Sequence, residues 1–121
     1  MKRESASKAA ERAERRALVK ALIDAGLWEC QIGVTLRRES YIGAHAIDYS
    51  DIACVGEPSG IHERRKRSSG GSLTLLANLM PACTWHNQWC EREPEIAHEL
   101  GLVVRPGDRE WFLCGGDRGG F

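Results

Sequence analysis

Apolar residues recur at helical spacing between residues 5 and 25. Ala10, Ala13, Ala17 and Ala21 share a stripe with Leu18, Leu22 and Ala25. This predicts a helix that Gly26 stops. The stripe is thin before Ala17, so the first turns read as a basic arm. Leu27 to Ile52 is less regular. "CQIGVTL" and "YIGAHAI" alternate β-branched or aromatic residues with others, which predicts a short hairpin turned near Arg37–Ser40. "CVGEPSG" is turn-rich, "GIHERRKR" starts as a strand, and "SSGGSLT" is a loop. "LLANLMPAC" reads as a second strand-like run, and Pro81 makes it an edge or ends it early. "EREPEIAHELG" predicts a second helix, with Pro94 in its first turn and Gly101 closing it. "LVV" is a short strand, "RPGDREW" a turn and "CGGDRGGF" a loose tail.

At 121 residues the chain forms one domain plus an arm. A core of that size gains from a metal staple. The net charge is zero but unevenly placed. Met1 to Lys20 holds seven Lys/Arg against three Glu, and His62 to Arg67 four Lys/Arg against one Glu. Two basic blocks are compatible with a phosphate-binding face. The N-terminus is charged and no apolar run reaches membrane-span length, so a cytoplasmic, reducing setting with no membrane partner is expected. There, five cysteines point to metal binding rather than disulfides.

Candidate chemistry gathers around "NLMPACTWHNQW". Cys83 and His86 stand at C-x-x-H spacing and offer two ligands from one turn. Upstream thiols are Cys30 and Cys54, and the C-x-x-C partner of Cys30 would fall on Gly33. A Cys30–Cys54–Cys83–His86 zinc site is chemically sensible, though its spacing is irregular. Read alone, His62 is a surface histidine in a basic loop, and Arg64–Arg67 a solvated face. Asn78 caps a turn, and His86 and Asn87 cap a helix start.

The order of residues changes that balance. His62, a basic tract, Gly70–Gly71, Asn78–Leu79, Cys83-x-x-His86-Asn87, Trp89, Pro94, Ala97 and Gly101–Leu102 follow one another without a gap. This resembles the small HNH endonucleases of actinobacteria and their phages, which look like "HHRxxRxxGG…NLxxxCxxCHxWxxxxPxxAxxxGL". The resemblance covers roughly residues 54 to 105 and does not include the chain before Cys30.

The resemblance implies an α+β chain with a ββα-metal (HNH/His-Me finger) core. A structural zinc would staple this core, and an N-terminal α-helix would precede it. It divides the chain into a basic helix or arm (1–26), a nuclease domain (27–105) and a tail (106–121). It implies that His62 and Asn87 bind a catalytic divalent ion (Mg, Mn, Ni or Zn), that Glu63 stands at the general-base position, and that Asn78 supports the loop. Arg64, Arg65, Lys66 and Arg67 would hold flanking phosphates. DNA is the implied partner, with phage packaging proteins beside it and no small-molecule cofactor. Two departures stay open. Glu63 stands where the family has a histidine base, and the roles of His62 and Glu63 can be reversed. His86 replaces a zinc cysteine and leaves Asn87 for the catalytic metal, or serves that metal itself. The register of Asn78 favours the first. Cys90, Cys114, His45 and His98 read as structural. The tryptophans read as packing. The rival expectation is a zinc-stapled DNA-binding module with a degenerate, inactive HNH site.

Overall fold

The computed structural model describes residues 5–42, 47, 51–54 and 56–115, with the side chains of residues 41 and 42 left aside. The fold is α+β, with several helices around one two-stranded sheet.

Helix α1 spans Ala6–Asp24. Ser5 starts it by accepting the Lys8 N–H on its hydroxyl (3.2 Å). Gly26 ends it at φ 74°. The Gly26 N–H donates to Ile23 O and the Leu27 N–H to Leu22 O. That pair of bonds is a Schellman closure, which needs a left-handed residue at this position. No residue of α1 is buried, so it lies outside the core, as its thin apolar stripe predicts.

The expected hairpin after Leu27 is not formed. Gln31–Ile42 is a helix, α2, and the presumed turn at Arg37–Ser40 lies inside it. The alternation of Ile32, Val34 and Leu36 misled because Ile32 and Leu36 are also four apart. Both are fully buried, with Thr35 beside them. Thr35 satisfies its hydroxyl by donating to Gln31 O (2.9 Å), a bond available only on a helix. Gly43–Ala46, including His45, lie outside the described residues.

Strands β1 (Gly60–Glu63) and β2 (Leu79–Ala82) pair antiparallel, with His62 opposite Met80 and Glu63 opposite Leu79. Pro81 is tolerated because a two-stranded sheet consists of edges. Helix α3 (Thr84–Arg92) follows β2 after a single residue, Cys83. It starts well before the helix expected around Pro94. Its inward residues His86, Trp89 and Cys90 follow helical spacing. Pro94 opens a separate short helix, α4 (Pro94–Glu99). A residue before proline is disfavoured in the α region, and Glu93 accordingly leaves it (φ −125°, ψ 61°). The "LVV" segment forms no strand. Val104 gives one backbone bond to Arg64 O (3.0 Å).

Part of the segment expected to be a turn and loose tail is helical. Trp111–Gly115 forms helix α5, whose Cys114 is fully buried. Ser72 N–H donates to Cys114 O (2.8 Å). The Arg65 guanidinium lies 3.9 Å over the Trp111 ring.

The central core is Cys30, Ile32, Leu36, Ala82, Cys83, Trp89, Cys90, Ala97 and Leu102. It joins α2, β2, α3 and α4, and five of its nine residues are cysteine or alanine. Hydrophobic burial alone is therefore modest here.

Between the strands the chain makes a 3₁₀ turn at Arg67–Ser69 closed by left-handed Gly70 (φ 89°). Gly71 is needed for another reason. A Cβ there would sit 1.6 Å from Arg65 O. Gly71→Ala is expected to lower the unfolding free energy by about 3 kcal/mol in a denaturant titration. Gly60→Ala, with nothing within 4 Å, should change it by less than about 0.5 kcal/mol.

Candidate metal centre and adjacent cleft

Cys30, Cys54, Cys83 and His86 come together, with all their ligand atoms within 4.8 Å of one another. They arrive from three pieces of local structure. Cys30 immediately precedes α2, and its carbonyl accepts the Val34 N–H. Its sulfur accepts the N–H groups of Gly33 and of Cys83, both at 3.4 Å. Cys83 is the N-cap of α3, and His86 follows on its first turn. Two of the sulfurs therefore sit at helix N-termini, where backbone N–H groups favour negative charge. Cys54 comes from the segment between α2 and β1.

The His86 ring is oriented for ligation. Its Nε2 donates to Asp51 O (2.6 Å), which leaves the Nδ1 lone pair facing the sulfurs. Nδ1 lies 3.3 Å from Cys30 Sγ, 3.5 Å from Cys54 Sγ and 3.4 Å from Cys83 Sγ. Tetrahedral zinc would set these edges at about 3.6 Å, given Zn–S near 2.3 Å and Zn–N near 2.0–2.1 Å. The donor set fits a metal ion such as zinc in both chemistry and spacing.

Gly33 has a definite role here. A Cβ on it would lie 2.7 Å from Cys54 Sγ and 3.0 Å from His86 Cε1. The space of the missing C-x-x-C side chain is thus filled by the Cys54 sulfur. The thiol of Cys54 is pushed up to about 11, first by burial and then by the adjacent Cys30. Burial, more than the nearby Cys30, pushes Cys90 up to about 12. Without a cation, crowded thiols resist ionisation. A bound metal reverses that preference.

A second site borders this centre. A cleft of about 960 Å³ is lined by His62, Glu63 and Asn87 together with Lys66, Arg67 and residues of α3 and the 103–106 segment. His62 is 7% exposed. Its Nε2 donates to Leu102 O (2.5 Å), and its Nδ1 lies 3.0 Å from Asn87 Oδ1. Consecutive strand residues point to opposite faces, so Glu63 leaves His62 and meets α1. There Arg15 Nη1 donates to Glu63 Oε2 (2.9 Å) and to Leu73 O (3.2 Å).

Asn78 is fully buried and clamps the loop between the strands. Its Oδ1 accepts the Arg65 N–H (2.6 Å), and its Nδ2 donates to Arg65 O (3.0 Å) and Ser72 O (2.8 Å). No aliphatic side chain can make these bonds, which is why an asparagine stands there.

The basic tract divides, correcting its reading as four phosphate contacts. Arg65 is 4% exposed and donates to Ser69 O and Trp111 O. Arg64 donates to Gly101 O (2.8 Å) and Ala77 O (2.9 Å) and pairs with Glu110. Both hold the fold together. Lys66 and Arg67 are exposed on the cleft rim. The sequence does not mark Arg15 and Trp111 as site residues. Nothing local marks them, because their partners are 48 and 46 residues away.

Two outcomes follow for the metal centre. Gly33→Ala should weaken metal retention against a chelator by about tenfold or more, by pushing the Cys54 sulfur aside. Stripping the metal should also change the pH response. In the folded, metal-free chain Cys54 and Cys90 keep their protons to higher pH than in the unfolded chain. That contribution is complete below the ordinary thiol range and is lost as pH rises through it toward 11. Denaturant midpoints of chelator-treated protein should fall over that window. Metal-loaded protein should instead lose stability on acidification, as protons compete for the sulfurs.

No protein-family model, curated protein or solved structure matches the chain.

Proposed function

We propose that the chain is a small HNH-type, metal-dependent DNA endonuclease, a ββα-metal fold stapled by zinc at Cys30, Cys54, Cys83 and His86. The observation that carries this reading is the 3.0 Å approach of His62 Nδ1, from β1, to Asn87 Oδ1, from α3, at the edge of a cleft. With Nε2 donating to Leu102 O, the other ring nitrogen, Nδ1, faces the Asn87 oxygen. Two converging acceptors suit a cation. Cis ligands of a divalent ion at bond lengths near 2.1 Å are themselves about 3.0 Å apart. The backbone-anchored second nitrogen is the usual support of a metal-binding histidine.

A divalent ion bound there supplies charge to polarise a non-bridging phosphate oxygen and to stabilise the leaving 3′-oxygen. The chain's own residues do the rest. His62 and Asn87 would hold the ion. Glu63, which lines the same cleft, accepts the proton of the attacking water on Oε1, since Arg15 occupies Oε2. Asn78 keeps the loop after Glu63 in one shape. Lys66 and Arg67 hold flanking phosphates through charge, without reading sequence. What supports His62 as ligand and Glu63 as base, rather than the reverse, is that His62 Nδ1 lies 3.0 Å from Asn87 Oδ1 while Glu63 pairs with Arg15.

A second reading is a zinc-stapled DNA-binding module without chemistry. The Arg15–Glu63 ion pair favours it, because it engages the carboxylate that must take the proton.

Plasmid nicking separates the two readings. With Mg2+, Mn2+ or Ni2+ the wild-type chain should nick, and His62→Ala and Asn87→Ala should each slow it by about 100-fold or more while retaining zinc. Equal nicking by wild type and His62→Ala removes the assignment. Metal-independent DNA binding with no nicking by wild type selects the second reading.

A further inference from the structure

We propose that Arg37 is a positioning residue of the metal centre, its guanidinium being the counter-charge held beside the Cys54 sulfur. The proposal rests on the reading of Cys30, Cys54, Cys83 and His86 as a metal site. It deepens that reading by naming what secures the ligand that local structure does not.

The four ligands are not equally secured. Cys30, Cys83 and His86 are buried, at 3%, 0% and 0% exposure. The backbone holds each of them. The Cys30 sulfur takes the N–H groups of Gly33 and Cys83. Cys83 is the N-cap of α3, and Asp51 O orients the His86 ring. Cys54 is half-buried and comes from the segment between α2 and β1. Of the four, it is the one open to solvent.

A side chain reaches the Cys54 sulfur. Arg37 Nη1 lies 4.0 Å from Cys54 Sγ. Arg37 stands one turn after Gly33 on α2, so the two share a face. A Cβ on Gly33 would lie 3.2 Å from Arg37 Nη1 as well as 2.7 Å from Cys54 Sγ. The bare backbone at Gly33 therefore gives room to both partners at once. The other arm of the fork, Nη2, lies 3.8 Å from Glu29 Oε1, just ahead of Cys30. That ion pair is 44% and 64% exposed. Such a pair is weak, so it aims the guanidinium more than it binds it.

Charge balance explains why a cation belongs there. Three thiolates around a divalent ion leave one net negative charge. Helix N-termini offset part of it at Cys30 and Cys83. Among the described residues no helix starts at Cys54, and Arg37 supplies the positive charge instead. Partners of this kind, outside the ligands themselves, set metal affinity. Arg38 is also exposed, but one helical step of about 100° turns it away from this edge. It lines a separate hollow with Gln31 and Thr35.

The test uses the full chain, stripped of metal and refilled with Co2+, whose thiolate charge-transfer absorption reports the site. Titration against a competing chelator gives the affinity. Arg37→Gln should weaken Co2+ binding by about tenfold at low salt. The gap to wild type should narrow to about threefold or less near 1 M salt, where exposed charges are screened. Arg37→Lys keeps the charge and loses the fork, and should recover roughly half or more of the loss on a logarithmic scale. Arg38→Gln removes the same charge from the same helix and should stay within about twofold of wild type. Circular dichroism should show the helices intact in the glutamine variants, since glutamine is a good helix former. Unchanged affinity in Arg37→Gln overturns the proposal while the wild-type spectrum keeps the metal centre. An equal loss in Arg38→Gln overturns it too, because net charge alone would then be responsible. So does a loss that neither salt narrows nor lysine recovers, which would mark a packing role. A wild-type chain with no thiolate-to-Co2+ absorption removes the metal centre and the proposal together.

Discussion

Three thiols and an imidazole converge on one point, and they can share it as ligands only around a cation. Protonated, the sulfurs are crowded and weakly bonded. Ionised, they repel. This constraint orders much of the molecule. Cys30 fixes the start of α2, Cys83 fixes the junction of β2 with α3, and Cys54 draws in the segment ahead of β1. More than half of the core these elements share is cysteine or alanine, so a metal bound there would contribute folding energy that such small side chains do not supply.

The same constraint reaches the cleft through adjacent residues. His86 and Asn87 are neighbours on the first turns of α3. A helix turns about 100° per residue, so pointing His86 at the sulfurs sets the direction of Asn87. That direction brings Asn87 to His62 across the sheet. The metal centre and the cleft are therefore mechanically linked, and a fault at Cys83 is expected to be felt at Asn87. The loop between the strands is held independently, by Asn78 from within and by Arg65 stacked on Trp111 from outside. Two of the four cations in that loop, Arg64 and Arg65, hold its shape through backbone carbonyls and the Trp111 ring.

The sequence made some of this legible. Gly26 ended α1 because a left-handed residue was required there. β1 and β2 formed where apolar runs met turns, and the metal set could be named from residue chemistry. What escaped depended on distance in the chain. Ile32, Val34 and Leu36 carry strand and helix spacing at once, and burial against β2 and α3 decided for helix. Arg64 and Arg65 look like any basic run until their carbonyl and ring partners are placed beside them. The role of Gly33 lay in the sulfur of Cys54, 21 positions later in the chain. Residues whose meaning is local were readable, and residues whose meaning is a long-range partner were not.

X-ray absorption at the zinc edge of the purified protein tests the central claim most directly. The account predicts one bound zinc with three sulfurs near 2.3 Å and one nitrogen near 2.0–2.1 Å, unaltered by His62→Ala. A shell of light atoms only, two sulfurs, or protein that holds no zinc would contradict it.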